Sequence, residues 1–453
     1  METVMEFALS KEYSDRFAEA LQDRDVNFIT NTLEGVNAAD ISVLLDRFNA
    51  EECKLVFDVL PPEVDAAILN GLDEDVRKDF LELFDLEEIA EFLEQLDSDD
   101  GADIAMQLPL KRREEVISML EEEKSEHITD LLRYDEDVAG GLMAKELIKA
   151  NLNWNIRQCI EEIRKQAEKV EKIYSVYVVD NHSRLLGKVS LKKIILAEDE
   201  VHVADIYDDG IISVETYMEE EEVAAIMQKY DLEAVPVVTP AGKLVGRVTI
   251  DDILDVITEM ADEERQIMAG ISSDVEEADS IWQLSKARLP WLIIGMAGGL
   301  LAAQITDLFR GDIAIITGLA LFIPLIMATG GNVGIQSSSI VVQSLANPHA
   351  FESSMSSRLV KVLFVAAVNG IILALMVLGA VILIFGEALL AYTVAIALFS
   401  VVLLASFMGT ITPLILDKFG INPALASGPF ITTANDLLGL AVYFSVAHAI
   451  YNL

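Results

Sequence analysis

The sequence predicts a multidomain chain: an all-α superhelical N-terminal domain, an α/β tandem pair, a linking helix and an α-helical transmembrane bundle of five spans. Three observations carry that prediction. Charge is sharply partitioned, since 27 of the 33 Lys and Arg and 69 of the 75 Asp and Glu precede Ile281, so the formal net charge of −42 belongs to the first 280 residues. A segment beginning at Ser175 returns 59 residues later. From Pro290 onward the chain is a series of hydrophobic runs, each able to supply the roughly 20 apolar residues that a bilayer-crossing helix needs.

Residues 1–133 read as the first domain. Short amphipathic helices such as Ile41 to Phe48 and Ile89 to Leu96 are punctuated every 12 residues or so by the corners Leu60-Pro61, Leu72-Asp73, Phe84-Asp85, Leu96-Asp97 and Leu108-Pro109. Recurrence at that interval describes a stacked, superhelical array. So dense a negative field repels nucleic acid and anionic headgroups and attracts metal cations, which excludes a nucleic-acid partner. The two cysteines, Cys53 and Cys159, have no metal-ligand spacing and suit a reducing compartment. The start, Met1 to Glu6, has neither the basic end nor the apolar core of a signal peptide, so the soluble part is expected in the cytoplasm.

Residues 134–257 contain the duplication. Ser175 to Asp180 with Leu185 to Ile194 is repeated as Ala234 to Thr239 with Leu244 to Ile253. Each copy reads as an apolar strand, a turn, a second strand through a glycine, and a helix capped near Ser190 or Thr249, with a further helix preceding it at Ile156 to Ala167 or Glu220 to Lys229. This resembles a tandem pair of CBS domains, which implies control of an attached domain by a bound ligand and leaves open a nucleotide in the CBS cleft. The copies differ where the first has Lys192-Lys193 and the second Asp251-Asp252.

Residues 258–284 continue as a helix with an acidic face and a linker at Gly270 to Asp279, and residues 285–453 form the membrane domain. Trp282, Lys286, Arg288 and Trp291 mark an interfacial belt. Five spans follow: Pro290 to Phe309, Ile313 to Leu345, Leu359 to Phe385, Ala388 to Leu416, and Pro423 to Tyr451. Lys286, Arg288, Arg358, Lys361 and Lys418 fall on the side of the soluble part and Arg310 opposite, which places the N-terminus in the cytoplasm and the C-terminus outside the cell (inner) membrane.

Asp436 lies near the middle of the last span. A mid-bilayer carboxylate costs roughly 2.5–3.5 kcal/mol on insertion scales, so it belongs in a bundle interior or a wet pathway. Pro429, Thr432, Asp436 and Gly439 share one helical stripe, flanked by Thr433 and Asn435. In the second span Gly330-Gly331-Asn332-Val333-Gly334, followed by Gln336 and Ser337 to Ser339, is expected to interrupt the helix and to line a polar cavity, because three glycines weaken a helix and polar groups are costly against lipid.

An acidic helical array, tandem CBS modules, an acidic linking helix, five spans, Gly330-Gly331-Asn332 and the Ser427-Gly428-Pro429 to Asn435-Asp436 segment, in that order, resemble the MgtE-type magnesium channel/transporter family over essentially the whole chain. The resemblance implies a homodimer in the bilayer around one pore, an ion site at Asp436 with Thr432 one turn away and Asn332 and Gly331 at the second span, and closure by cytosolic Mg2+. Mg2+ is then both cargo and regulator. Matching of motifs marks Glu219, Glu221, Asp231, Asp252, Asp255, Glu263 and Glu264 as regulatory metal ligands, with Glu87 and Glu91, which share a helical face, as their partners on the array.

The alternative is an ion-coupled secondary transporter of another divalent cation or an organic solute under CBS control. Oxygen ligands alone do not rank magnesium against manganese, cobalt or nickel. The chain has no GxxxxGK[ST] loop and no nucleophile–base grouping, so gradient-driven transport rather than an enzyme is expected.

Overall fold

The computed structural model describes residues 11–168, 170, 172–272, 275, 280–345, 355–426 and 428–452. They divide into two compact units at Ile257 and Thr258. The first ten residues, much of the linker expected at Gly270 to Asp279, and Ser427 of the Ser427-Gly428-Pro429 motif lie outside the described residues.

The first unit opens, among the described residues, with α1 Lys11–Asp23, α2 Val26–Leu33, α3 Ala38–Leu45, α4 Ala50–Phe57, α5 Pro62–Asn70, α6 Glu74–Leu83, α7 Leu86–Gln95, α8 Ser98–Gln107, α9 Leu110–Ile117 and α10 Glu122–Leu131. The sequence corners are helix starts: Pro61, Asp73, Asp85, Asp97 and Pro109 immediately precede α5 to α9. Proline suits a helix entrance because its φ is preset, and Asp can accept from the orphan N–H groups of the first turn. Asp85 does so fully. Its carboxylate accepts from the Glu88 N–H at 2.9 Å while Glu88 accepts from the Asp85 N–H at 2.7 Å. Alternate helices pack on one another, α3 on α5, α5 on α7, and α4 on α6, which stacks the array. Phe57, Phe80, Phe84 and Phe92 fill its middle with ring centroids 5.0–6.2 Å apart.

The duplication follows as β1 Ile148–Asn151, α11 Ile156–Ala167, β2 Val176–Val179, β3 Leu185–Val189 and α12 Leu191–Leu196, then β4 Val214–Glu215, α13 Glu220–Tyr230, β5 Ala234–Val238, β6 Leu244–Thr249 and α14 Ile250–Ala269. Each copy makes a three-stranded sheet with its first strand parallel and its last antiparallel to the middle one. The repeat extends to register: Val176 pairs with Val189 as Val235 pairs with Val248, and both hairpins shift register at matching places, Val178/Val179 and Val237/Val238. Gly187 and Gly246 are required for a shared reason. A Cβ there would strike the backbone of Asp208 or Ala144, the residues that bridge to the neighbouring Lys188 and Arg247. Ser190 caps α12 as the sequence suggested, accepting from the Lys193 N–H at 3.3 Å.

The second unit takes in α14 from Thr258, α15 Ile281–Leu308, α16 Arg310–Ile315, a 3-10 segment Thr317–Phe322, α17 Ile323–Leu345, α18 Met355–Phe385, α19 Ala388–Lys418, a 3-10 turn Pro423–Ala426 and α20 Pro429–Tyr451. Among the described residues, five helical stretches in it are long and apolar enough to cross a membrane. Its core runs along α19 through Leu390, Val394, Leu398 and Val401 and meets Tyr443 and Phe444 of α20. Tyr443 donates its hydroxyl to the Leu319 carbonyl at 2.9 Å, which meets the need of a buried phenol for a partner.

The helix that carries the expected first span begins ahead of it: α15 starts at Ile281 and continues through Pro290, extended by a Ser280 capping box. One expectation for this unit is corrected. Span two is not interrupted at Gly330 to Gly334. There α17 is a continuous helix, and the irregular turn lies earlier, at Thr317–Phe322. The glycines serve close packing instead: Gly334 sets its carbonyl against Gly409 of α19, and the contacts so gained offset the helix propensity they forfeit.

Candidate ion site and acidic groove

Asp436 is half-buried in the first half of α20, which Gly428 and Pro429 start. Gly428 has φ 56° and ψ −129°, a region open essentially to glycine alone, and Pro429 then takes the first helical position. Thr432 follows, its hydroxyl donating to the Gly428 carbonyl at 2.9 Å, so the oxygen's lone pairs remain available to accept. Gly331 of α17 lies directly over this face. A Cβ added to it would stand 3.1 Å from Thr432 Cγ2 and 3.8 Å from Asp436 Oδ1. The structure thus brings Gly331, Thr432 and Asp436 together as one carboxylate, one hydroxyl and bare backbone. Asn332 is exposed, while Asn435 is buried against Gly334.

The end of α14 reaches the start of α20. Gly270, at φ 81°, leaves no room for a Cβ, which would stand 2.5 Å from Pro429 Cγ, and a Cβ on Gly428 would strike the Met268 carbonyl. Ser272 secures the turn by donating its hydroxyl to the Ala287 carbonyl of α15 at 2.8 Å. The sequence signal for this junction was only a pair of glycines at segment ends.

In the first unit a cavity of about 970 Å³ separates the array from the tandem pair. Asp97, Asp99 and Asp100 at the start of α8 contribute one acidic wall, and Asp251 and Asp252 at the start of α14 contribute the other. Burial pushes Asp97 up to about 6 and Asp252 up to about 6, and it raises Asp99 and Asp100 as well. The acids reinforce one another: Asp252 and Asp100 raise Asp99, and Asp251 raises Asp100. Asp252 is restrained further by Thr249, whose hydroxyl donates to it at 2.7 Å. A basic wall completes the cavity with Lys124, Lys145, Lys149, Lys172 and Arg247 beside Tyr174. Arg247, only 4% exposed, donates to the Lys172 carbonyl at 3.1 Å, lies 5.1 Å over the Tyr174 ring and approaches Asp97 to 3.6 Å.

Of the regulatory acids expected from sequence, Asp252 lines this cavity. Glu87 and Glu91 are exposed on α7, outside it. Glu219 and Asp231 flank α13 at its two ends and Glu221 lies in its first turn, all exposed. Asp255 is exposed on α14, and Glu263 and Glu264 belong to the second unit. Among the described residues no three His, Cys, Asp or Glu stand close enough to hold a metal between them. The sequence reading missed Asp97, Asp99 and Asp100, whose helix-start positions made them resemble ordinary first-turn acids, and Arg247. The signal for Arg247 was a basic residue inside an otherwise apolar strand.

Comparison with known proteins agrees with this architecture. Residues 323–446 match the MgtE family model, a divalent cation transporter; residues 36–137 match the MgtE intracellular N domain; residues 137–200 and 203–259 match the CBS domain. The Magnesium transporter MgtE of Enterococcus faecalis is 34% identical over 326 residues, 72% of each chain. That of Thermus thermophilus is 34% identical over 320 residues, 70% of this chain and 71% of the other. The solved cytosolic domain of the Mg2+ channel MgtE in complex with ATP is 32% identical, with a TM-score of 0.50 over 54% of this chain and 99% of that one. With the membrane helices, the tandem pair and the helical array all accounted for, the chain belongs to the MgtE family of divalent cation transporters.

Proposed function

We propose that the chain carries Mg2+ into the cytoplasm, down its electrochemical gradient, as a homodimer in the cell (inner) membrane. The observation that carries this reading is the approach of Gly331 to Thr432 and Asp436, which sets a carboxylate and a hydroxyl beside bare backbone at the middle of a span. Magnesium keeps most of its waters and needs few protein oxygens, so one Asp436 from each of two copies, with Thr432 and Asn332 meeting the waters, suits it. Five basic residues on the side of the soluble unit favour a cytoplasmic N-terminus and an external C-terminus. Relatives named as magnesium transporters support magnesium over the solute-transporter alternative.

The regulatory half of the reading is that cytosolic Mg2+ closes the pathway by drawing acidic walls together. The cavity's acids are candidate sites, with Glu87, Glu91, Glu219, Glu221, Asp231, Asp255, Glu263 and Glu264 as further candidates at the surface. Its opposing basic wall and Tyr174 fit a magnesium-bound nucleotide, a second ligand favoured by the ATP complex of the relative's cytosolic domain. The test is magnesium flux and single-channel recording with purified protein in bilayers. Asp436→Asn is expected to abolish or strongly weaken magnesium conduction, and Gly331→Leu to block it by filling the space beside Thr432. Wild-type magnesium currents in Asp436→Asn would refute the ion-site assignment.

A further inference from the structure

Asn435 is 1% exposed, and among the described residues neither end of its carboxamide has a hydrogen-bond partner. It stands about 100° round α20 from Asp436. Its Nδ2 occupies the place where a Cβ on Gly334 would lie, and Gly334 in turn presses its carbonyl toward Gly409. Three helices therefore cross around an amide with no partner. Such a group costs more than an apolar side chain of the same size, since it has lost water and gained nothing. The glycines make the crossing tight enough to keep it so.

The same crossing governs access to the ion site. Gly331 holds α17 close over this side of the carboxylate, since a Cβ there would stand 3.1 Å from Thr432 Cγ2 and 3.8 Å from Asp436 Oδ1. Separating α17 from α20 at Gly331 and Gly334 would open space beside Asp436. It would also let water, or an α17 carbonyl, reach Asn435. One displacement serves both residues.

We infer that Asn435 is a positioning residue for permeation: its unpaired carboxamide biases the α17–α20 crossing toward the separated arrangement in which Asp436 can receive a hydrated divalent cation. Asn435 is not itself an ion ligand, being closed in between α17 and α20. The inference rests on the reading of Asp436 as the ion site.

The test is single-channel recording of the full-length chain in bilayers with Mg2+ as the charge carrier, comparing Asn435→Leu, which keeps the volume and removes the polarity, with Asn435→Ser, which keeps a hydrogen-bonding group. Asn435→Leu is expected to lower open probability about 5- to 150-fold, the range set by the cost of an unsatisfied buried group, with unit conductance unchanged. Asn435→Ser should lie between Asn435→Leu and wild type. Unchanged open probability in Asn435→Leu overturns the inference, and so does a fall in unit conductance at constant open probability, which would make Asn435 a lining group. Loss of all current in both variants also overturns it, because the residue is then structural. Asp436→Asn in the same experiment tests the underlying reading separately.

Discussion

The Ser98 hydroxyl donates to Glu146 at 2.6 Å, tying the first residue of α8 to the segment that enters β1. The Ser98 N–H donates to the same oxygen at 3.1 Å, the Lys145 N–H donates back to Ser98 Oγ at 2.8 Å, and Lys124 and His127 close on the other oxygen at 3.4 and 3.8 Å. These direct contacts join the array to the tandem pair. Burial would raise the Glu146 carboxyl, but the His127 contact, the Lys124 charge and the Ser98 donors outweigh it and hold it at about 2. A depressed carboxylate stabilises above its ordinary value of 4.5 and loses that contribution as pH falls through about 2.

Glu146→Gln should therefore destabilise the soluble unit at pH 7 by about 3 kcal/mol, at about 1.4 kcal/mol for each tenfold change in proton affinity. The difference from wild type should shrink as the pH is lowered toward 2. Urea midpoints of the full-length protein, followed by fluorescence of a label on the array, measure it. Equal midpoints at pH 7 would show that the charge contributes nothing.

Asp65 behaves in the opposite sense. It is 4% exposed with one carboxylate oxygen unpaired among the described residues, and burial, followed by repulsion from Asp58, Glu91 and Glu63, pushes it up to about 8. An acid raised on folding is most compatible with the fold while protonated, so it removes stability as pH rises from about 4 through about 8. Asp65→Asn should raise the array's stability by at least about 1 kcal/mol at pH 8.5 and have little effect at pH 4. A pH-independent difference between the two proteins would count against the buried-acid explanation.

Much of this was legible in the sequence because it rested on local signals. The corners at Pro61, Asp85 and Pro109 mark helix starts through local chemistry, and the repeat from Ser175 marked two matching strand–turn–strand units, whose shared register shifts at Val178 and Val237 only the structure shows. Asp436 stood out because a carboxylate is costly in an apolar span. The groove was not legible. Asp97 occupies a helix-cap position indistinguishable from Asp85 until the fold brings Arg247, 150 residues away in sequence, to within 3.6 Å of it, and its side chain makes no cap bond. The continuity of α17 was misjudged for a related reason: three glycines weaken an isolated helix, but the tight packing of α17 against Asn435 and Gly409 is a tertiary gain that propensity does not contain.

The junction of α14 and α20 should tolerate no side chain. Gly428→Ala would place a Cβ in a backbone region disfavoured by about 1–3 kcal/mol and against the Met268 carbonyl. The expected result is a channel of normal unit conductance whose closure by cytosolic Mg2+ is weakened, because the tip of α14 no longer seats on Pro429. Magnesium-dependent closure identical to wild type would mean that the contact does not transmit regulation.

The acidic groove yields the last prediction, which concerns protons as well as metal. Asp97 and Asp252 titrate at about 6 while the walls face each other, with burial as the leading cause and neighbouring acids adding to it. Separated and solvated, the same groups would return toward 3.8, so the facing arrangement binds more protons than the open one. By linkage, the facing arrangement is favoured as pH falls through about 6 and opposed as pH rises above it. At pH 7.5 a cation must supply what protons supply at pH 5.5. Protection of the soluble unit from protease should then require Mg2+ at pH 7.5, persist in chelator at pH 5.5, and depend on Mg2+ less steeply at the lower pH. The triple change Asp99→Asn, Asp100→Asn and Asp252→Asn removes both the repulsion and the metal's partners while leaving Ser98 and Glu146 in place. It should make protection independent of Mg2+ and less dependent on pH between 5.5 and 7.5, the remaining pH dependence being that of Asp97. If the triple variant still requires Mg2+ at the wild-type concentration, these acids are not where the metal acts, and the exposed group at Glu219, Glu221 and Asp231 becomes the next to neutralise.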